Sequence, residues 1–326
     1  MKVHLDTDIG GDIDDLCALA LLLAWPGVEL TAVTTVADDG GRRAGYARYA
    51  LALAARGEIP VASGADVSLG CYRHPLGYPD EARYWPEPVT PSPNPPEQAL
   101  DLLAASIEAG ATIVAIGPLT NLSLLERRRP GILERARLCL MGGYVAPVPP
   151  GFPAWNHETD FNVQVDALAA EHVMRSSHPL LVPIEVTVQT ALRRAFLPQL
   201  RRAGPLARLI ARQAAAFAED ENHEGRNGAV YQALPRDLIN FQHDPLACAV
   251  ALGWDGAGVE TVPLAVELQG TWLRFLTRPD GRPTRVVTRI DRRRFDRLWL
   301  DLVTRPTRIA PPLPEGERVG SEGEER

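Results

Sequence analysis

The chain has 326 residues, of which 45% are hydrophobic and 23% are charged, and these are ordinary values for a globular protein. They exclude an intrinsically disordered or fibrous chain. The 41 Asp and Glu outnumber the 34 Lys and Arg, and the net charge of -7 argues against general binding to nucleic acid. Lys2 is the only lysine, which disfavours chemistry that needs an interior lysine, such as a Walker-type phosphate loop or a Schiff base.

Short β-branched or apolar segments alternate with helical patterns over the first 190 residues. We predict strands at 3–7, 28–36, 112–116, 138–141 and 180–186, and helices at 14–24, 43–55, 98–109, 121–135 and 165–174. Alternation of this kind indicates an α/β fold with an open, mostly parallel, Rossmann-like sheet and helices on both faces. In such folds ligands bind at the carboxyl ends of the strands.

The remaining segments complete the same domain. Six prolines between 86 and 96 predict an exposed loop, and a strong helical pattern at 199–218 is followed by a polar segment, 219–228, that is a candidate lid. Residues 262–303 contain two β-like segments and a helix. We therefore expect one domain over 1–310 and a disordered acidic tail over 311–326.

The N-terminal segment and the apolar segments indicate where in the cell the protein is located. The sequence begins with no apolar leader segment, and its longest apolar run, residues 16–25, is too short to cross a bilayer. We therefore expect a cytoplasmic protein that has no contact with a membrane.

Five aspartates, at positions 6, 8, 12, 14 and 15, lie at the end of the first predicted strand. A carboxylate at a helix N-terminus gains at most about 1 kcal/mol, whereas two like charges 4 Å apart cost about 4 kcal/mol at an effective dielectric constant of about 20. Either some of these acids stay protonated, or a cation binds among them. A third interpretation is that they only cap the helix and face solvent. With oxygen ligands alone, the cation would be Ca²⁺ or Mg²⁺.

Two further segments could contribute to such a site. The motif GPLTN, residues 117–121, follows the strand predicted at 112–116, so its backbone turns at the same sheet edge and could offer a carbonyl. The motif HDP at 243–245 starts a helix, and Asp244 would be its N-cap with Pro245 in the first turn. Capping alone is a sufficient explanation for Asp244.

Five motifs in order resemble the nucleoside hydrolase family, the inosine-uridine-preferring type included. They are DTDIGGDIDD, TTVADDGG, GPLTN, MGG followed by DFNVQVD, and HDPLA, and they span about residues 3–250. The resemblance implies an open Rossmann-like α/β sheet, assembly as a homodimer or homotetramer, and a catalytic Ca²⁺. It also implies hydrolysis of the N-glycosidic bond of small-molecule ribonucleosides, with no nucleic-acid partner.

The resemblance also implies roles for individual residues. It makes Asp8 the general base and a Ca²⁺ ligand. The other Ca²⁺ ligands that it implies are Asp15, the backbone carbonyl of Thr120, and Asp244. Asp14, Asp160 and Asn162 match the positions that hold ribose hydroxyls, with Met141 lining the sugar site. His243 matches a proposed acid for the leaving base, and acidic neighbours would favour its protonated form.

The chain departs from the family pattern at several positions. Ile9 replaces the usual proline of the first motif, and two inserted residues make the turn between Asp8 and Asp14 bulge. Asp39 stands where the family has a sugar-contacting asparagine, and Asp160 replaces a glutamate. Asn156 is the candidate for a second sugar-binding asparagine. The aromatic residues Trp155, Tyr231 and Phe241 are candidates for stacking on the base.

Two other functions remain open from the sequence. A haloacid-dehalogenase-like phosphatase also begins with D-x-D after its first strand, and Asp6 would then be the nucleophile and Asp8 the acid/base. Gly10 and the lack of a downstream lysine count against this alternative. The other alternative is a nucleoside- or ribose-binding protein that has kept the metal but lost the chemistry.

Overall fold

A computed structural model describes residues 1–70 and 77–305. Its strands are β1 (Lys2–Thr7), β2 (Glu29–Thr35), β3 (Val61–Ser63), β4 (Thr112–Ala115), β5 (Arg137–Met141), β6 (Leu180–Val182), β7 (Leu192–Arg193), β8 (Leu238–Asn240), β9 (Ala257–Gln269), β10 (Trp272–Thr277) and β11 (Arg282–Ile290). Its α-helices are α1 (Asp14–Ala24), α2 (Arg42–Leu53), α3 (Glu81–Tyr84), α4 (Glu97–Glu108), α5 (Thr120–Arg128), α6 (Phe161–Gln164), α7 (Ala167–Ser176), α8 (Ile184–Thr187), α9 (Leu197–Arg202), α10 (Pro205–Glu221), α11 (His243–Ala251) and α12 (Arg292–Val303). The predicted tail, 311–326, and the domain boundary at 310 lie outside the described residues.

Nine strands form one sheet in the order β10-β9-β11-β6-β5-β4-β1-β2-β3. All neighbouring pairs from β11 to β3 are parallel, and only β9 runs antiparallel to its neighbours β10 and β11. Strands β7 and β8 form a separate antiparallel pair. The predicted fold class, an open and mostly parallel α/β sheet, is confirmed.

Three predicted elements differ from the structure because proline or glycine interrupts them. The strand predicted at 180–186 ends at Val182, and after Pro183 the chain forms α8. The helix predicted at 121–135 ends at Arg128, just before Pro130. The helix predicted at 199–218 is two helices, because Gly204 precedes Pro205, whose missing N–H is tolerated only in a first helical turn.

The C-terminal segment also differs, since it contributes three strands where the sequence pattern predicted two. Strand β9 is 13 residues long and pairs with both β10 and β11. Most of its residues are only partly buried, so it lacks the uniform apolar run that marks a buried parallel strand.

Helices α1 and α11 pack against each other behind the sheet edge that carries the acidic motif. Helix α1 is buried from Asp14 to Leu22, with apolar side chains on all faces after its first turn. Because α11 begins at His243, this packing brings the N-terminal ends of both helices, and their aspartates, to one place. Among the described residues, none of the helices has both the length and the apolar character that crossing a bilayer requires.

Candidate active site

A cavity of about 550 Å³ lies at the carboxyl edge of the sheet. Its described lining contains eight carboxylates: Asp8, Asp12, Asp14, Asp15, Asp160, Asp220, Glu221 and Asp244. Arg43 is the only arginine or lysine among those lining residues, which also include His223 and His243. The cavity is therefore strongly acidic, which favours a metal ion and a neutral substrate over an anionic one.

The turn between β1 and α1 positions the first group of acids. Gly10 has a φ of +100°, and a Cβ atom there would lie 2.2 Å from the Tyr46 ring, so glycine is required at this position. Asp12 lies in the part of the turn where the resemblance predicts an insertion, and it lines the cavity; its Oδ1 accepts hydrogen bonds from the Ile13 amide and, at 2.5 Å, from Asn240 Nδ2. Asp12 thus adds one carboxylate to the cavity wall.

Asp14, Asp15 and Asp244 form a compact carboxylate cluster. Each can offer an oxygen such that the three oxygens lie within 4.8 Å of one another, and all three residues are buried. Burial raises the pKa of each side chain well above its usual value, and repulsion from neighbouring aspartates raises it further. A divalent cation would relieve both effects, and these oxygen donors are the type that Ca²⁺ and Mg²⁺ prefer.

Few protein donors compensate this cluster. The Thr7 hydroxyl donates a hydrogen bond to Asp15 Oδ1, and the Asp244 amide donates to Asp14 Oδ2 at 3.3 Å. Neutral donors lower the cost of burial but do not cancel three negative charges. The local chemistry of the residues therefore fits a bound metal ion.

Asp8 lines the same cavity and is half-buried. Its pKa is raised by burial, and the positive charge of Arg43 opposes this shift. Its Oδ1 packs so closely on Gly117 that a Cβ atom there would lie 2.7 Å from it. The glycine of the GPLTN motif therefore leaves room for the Asp8 carboxylate.

Arg43 is a site residue that our sequence analysis missed. It is 2% exposed, and its Nε donates to the Ala37 carbonyl at 2.8 Å. Its Nη1 donates to the carbonyls of Asp8 and Ile9, at 3.1 Å for Ile9. A buried guanidinium thus fixes the backbone of the acidic turn and supplies the positive charge nearest to Asp8. The only signal in the sequence was its place two residues after the motif TTVADDGG.

Thr120 begins α5 and is buried, but it is not among the described residues lining the cavity. Its hydroxyl donates to Asp166 Oδ2 at 2.7 Å. The predicted metal ligand is the backbone carbonyl of Thr120, and this side-chain hydrogen bond does not involve it. The next residue, Asn121, donates to Asp6 Oδ1 at 2.8 Å and to the Thr35 carbonyl at 2.9 Å. The start of α5 is therefore tied to β1 and β2 beside the cavity.

Met141, Asp160 and Asn162, the predicted sugar-site residues, all line the cavity. Asp160 accepts hydrogen bonds from the amides of Gly143, at 2.5 Å, and Val163, at 3.4 Å, and its burial raises its pKa to about 7. Asn162 Nδ2 donates to the Met141 carbonyl at 3.2 Å and to a second main-chain carbonyl. Its amide oxygen is therefore the atom available to a ligand.

Asp39 and Asn156 do not line this cavity, although the resemblance predicted both as sugar-binding residues. Asp39 is exposed and starts a short 3₁₀ turn, Asp39–Gly41. Asn156 accepts a hydrogen bond from the Glu158 amide at 2.7 Å and caps a second 3₁₀ turn, His157–Thr159. The sugar contacts predicted for these two side chains therefore stay predictions.

His243 lines the cavity next to the carboxylate cluster, and its Nδ1 lies 2.7 Å from the Thr187 hydroxyl. Burial, together with the nearby His223, lowers its pKa to about 3. This is opposite in direction to the sequence expectation, in which acidic neighbours favoured protonation. Desolvation of the ring outweighs the attraction of those neighbours.

The three aromatic candidates for the base differ in position. Trp155 lines the cavity, with its ring centroid 5.8 Å from that of His243. Phe241 is buried, and its centroid is 4.8 Å from that of Trp155 in an edge-to-face arrangement. Tyr231 is not among the described lining residues, and it packs against the hydrophobic cluster that contains Phe241. Only Trp155 of the three can face a ligand directly.

Comparison with known proteins agrees with this geometry. The family model described as inosine-uridine preferring nucleoside hydrolase matches residues 3–297. The chain therefore belongs to the inosine-uridine preferring nucleoside hydrolase family, whose members are metal-dependent N-ribohydrolases, hydrolases that act on glycosyl bonds. Membership in this family does not favour the two alternatives, a haloacid-dehalogenase-like phosphatase or a nucleoside-binding protein without catalytic activity.

Individual relatives show the extent of the similarity. The chain is 29% identical over 295 residues to the pyrimidine-specific ribonucleoside hydrolase RihA of Salmonella arizonae, covering 85% of this chain and 88% of the relative. It is 27% identical over 332 residues to the inosine-uridine preferring nucleoside hydrolase of Leishmania major, covering 95% and 99%. The solved structure of a plant nucleoside hydrolase, PpNRh1, superposes with a TM-score of 0.74 at 24% identity, covering 94% of this chain and 99% of that one, which supports the fold.

Proposed function

We propose that this enzyme hydrolyses the N-glycosidic bond of small-molecule ribonucleosides to ribose and free base, in a Ca²⁺-dependent reaction with Asp8 as general base. The observation that carries the proposal is the cluster of Asp14, Asp15 and Asp244, whose oxygens lie within 4.8 Å of one another in a cavity that Asp8 also lines. Such a cluster is costly unless a cation binds it.

The predicted Ca²⁺ ligands are Asp8, Asp15, the Thr120 carbonyl and Asp244. The geometry of the carboxylates adds Asp14 to the residues within reach of the ion. Carboxylates and a main-chain carbonyl form an irregular, all-oxygen donor set, which suits Ca²⁺ better than the strict octahedron of Mg²⁺. When bound, the ion supplies Lewis-acid polarisation of a water molecule and compensates the charge of the cluster.

The protein side chains perform the remaining steps. Asp8 accepts a proton from the attacking water. Asp14, Asp160 and Asn162 hold the ribose hydroxyls, and the surrounding carboxylates stabilise the positive charge that develops on the sugar as the bond to the base breaks. Because these acids are committed to the metal or the hydroxyls, we expect direct displacement by water with inversion at C1′.

The test is release of reducing sugar from inosine, adenosine, guanosine, uridine and cytidine, measured with and without a calcium chelator. The two curated relatives above are described by different base preferences, pyrimidine-specific and inosine-uridine preferring. The panel therefore includes both classes of base. We expect hydrolysis of at least one nucleoside, its loss with chelator and its recovery with added Ca²⁺. Hydrolysis that survives the chelator, or no hydrolysis at all, would contradict the proposal.

We further infer that the enzyme works in nucleoside salvage in the cytoplasm as a homodimer or homotetramer. The support is the family resemblance and the acidic cavity, which suits an uncharged nucleoside. Sedimentation equilibrium of the purified chain tests the assembly. A single species with the mass of one chain across the concentration range would contradict it.

A further inference from the structure

The segment after α10, which the sequence predicted as a lid, carries a second histidine of the cavity. Helix α10 ends at Glu221, and Asn222 then adopts a left-handed conformation with a φ of 48°. His223 follows, and a π-helical turn runs from Glu224 to Gly228. Left-handed non-glycine residues and π-turns are both uncommon and concentrate at functional sites. The backbone is therefore specialised around His223.

Neighbouring rings hold the His223 side chain in one orientation. The Phe217 ring stacks on it, with centroids 5.8 Å apart and an interplanar angle of 8°. Phe241 contacts it edge-on, with centroids 5.6 Å apart and an angle of 86°. Contacts in two perpendicular directions restrict both the tilt and the swing of the imidazole.

A hydrogen bond also fixes the position of its proton. Asn227 Nδ2 donates to His223 Nδ1 over 2.6 Å, so Nδ1 is the unprotonated nitrogen and Nε2 carries the hydrogen of the neutral ring. Burial lowers the pKa of His223, which agrees with a neutral ring. Within residues 1–70 and 77–305, no protein atom accepts a hydrogen bond from Nε2. Because His223 lines the cavity, this N–H is available to a bound ligand.

His243, the residue that the resemblance predicts as the acid, is arranged differently. Its Nδ1 is bonded to the Thr187 hydroxyl, which itself donates to the Ile184 carbonyl at 3.4 Å. At 2.7 Å the hydroxyl can either donate to His243 Nδ1 or accept from it, so this partner does not fix which ring nitrogen of His243 carries the hydrogen. Of the two rings, His223 is the one whose hydrogen-bond partner makes Nε2 the donor.

We propose that His223 is a catalytic residue that donates a hydrogen bond from Nε2–H to the leaving base, an assignment that rests on the proposed function. As the C1′–N bond breaks, its electron pair passes to the base nitrogen, and negative charge spreads over the ring. The N–H of His223 stabilises this charge without transferring its proton. Water adds to C1′ and loses a proton to Asp8, and the departing base takes its proton from solvent.

The experiment compares two leaving groups in wild type and His223→Phe, a substitution that keeps an aromatic ring between Phe217 and Phe241. The substrates are the best nucleoside from the panel and p-nitrophenyl β-D-ribofuranoside, whose nitrophenolate leaves without stabilisation. We expect kcat/KM to fall about 100-fold for the nucleoside and less than about threefold for the aryl riboside. Asn227→Ala removes the hydrogen bond to His223 Nδ1. It should lower kcat/KM for the nucleoside by less than His223→Phe does, and leave kcat/KM for the aryl riboside unchanged.

The outcomes separate this inference from the proposed function. If His223→Phe loses kcat/KM equally on both substrates, His223 has a structural role; if it loses none on either, His223 does not act in the site. Either result overturns the inference, while hydrolysis by the wild type still supports the proposed function. A wild type inactive on every substrate overturns the proposed function and the inference together. His178→Phe, at an exposed histidine bonded to Arg282 outside the cavity, is the matched control and should leave both values unchanged.

Discussion

The two ends of the cavity are built in different ways. The acidic end is buried: Asp14, Asp15 and Asp244 are each 4% exposed and begin helices that pack in the core. The other end is formed by α3, the end of α10 and the following π-turn, where exposed ion pairs make many of the contacts. In our proposal the metal and the sugar bind at the core end, whereas the base and the hydrogen bond from His223 belong to peripheral segments that can change without unfolding the protein.

The largest effect is expected from Asp8→Asn. The amide keeps the size of the side chain but cannot accept a proton from water, so kcat should fall by about 1,000-fold or more with the fold intact. Single-turnover kinetics, with circular dichroism to verify folding, measure this. Asp101→Asn, at an exposed carboxylate paired with Arg128, is the control and should be fully active. Near-normal turnover of Asp8→Asn would show that another group is the base.

Gly117→Ala tests how tightly the acidic end is packed. The new Cβ atom would lie 2.7 Å from Asp8 Oδ1 and 3.0 Å from the Asp8 amide, so the carboxylate must move. A displacement of about 1 Å can cost about 100-fold in kcat. Gly57→Ala, where no atom lies within 4 Å of the new Cβ, is the matched control for kcat and thermal stability. If both variants have wild-type kcat, the close packing on Asp8 has no catalytic role.

Arg83→Ala probes the opposite end. Arg83 donates to Asp220 and, at 2.8 Å, to Glu219, and Tyr84 Oη donates to Asp220 at 2.9 Å, so α3 is joined to the end of α10. Since exposed ion pairs contribute little, we expect KM to rise about threefold with kcat and stability unchanged. Steady-state kinetics beside Arg56→Ala, which removes a remote exposed pair with Glu58, measure the change. A large fall in kcat would mean that the two ends do not act separately.

The smallest effect concerns His4, beneath the acidic end. It is fully buried between Thr34 and Ser106, and burial lowers its pKa to about 3. The unfolded chain binds this proton more readily, so the stability contribution is complete above pH ~6.5 and decreases as the pH falls towards 3. Between pH ~7.5 and pH ~5 the loss is about 2 kcal/mol. Urea unfolding of wild type and His4→Gln at both values should show a smaller pH difference for the variant; an identical difference would contradict a buried neutral His4.

The sequence was sufficient to predict where the aspartates of the acidic end lie, because that information is local. Five aspartates follow one strand, parallel strands end at one edge of the sheet, and α1 begins at Asp14 as predicted. A helix start at the HDP motif was also predicted, but with Asp244 as its N-cap; the helix begins at His243 with Gln242 as N-cap, so Asp244 lies in the first turn. The packing of α1 against α11 explains why Asp244 joins the cluster. Alternation of strands and helices was sufficient for the fold class because it permits few topologies.

The sequence failed where tertiary packing decides the result. Arg43 looks like one of many surface arginines, and only the folded chain shows that its guanidinium lies beneath the acidic turn. The direction predicted for the pKa shift of His243 was wrong, because the acidic neighbours in the sequence do not show that the ring is buried. Asp39 and Asn156 start short 3₁₀ turns and are not among the described residues that line the cavity, so their sugar contacts stay predictions from the motif alone.

Calorimetric titration of Ca²⁺ into chelator-treated enzyme, with nucleoside hydrolysis followed on the same samples, tests the central claim most directly. We predict one ion bound per chain, with activity rising in proportion to the bound fraction, and loss of both binding and activity in Asp244→Asn. Binding that Asp244→Asn does not weaken, or full hydrolysis by the ion-free enzyme, would contradict the account.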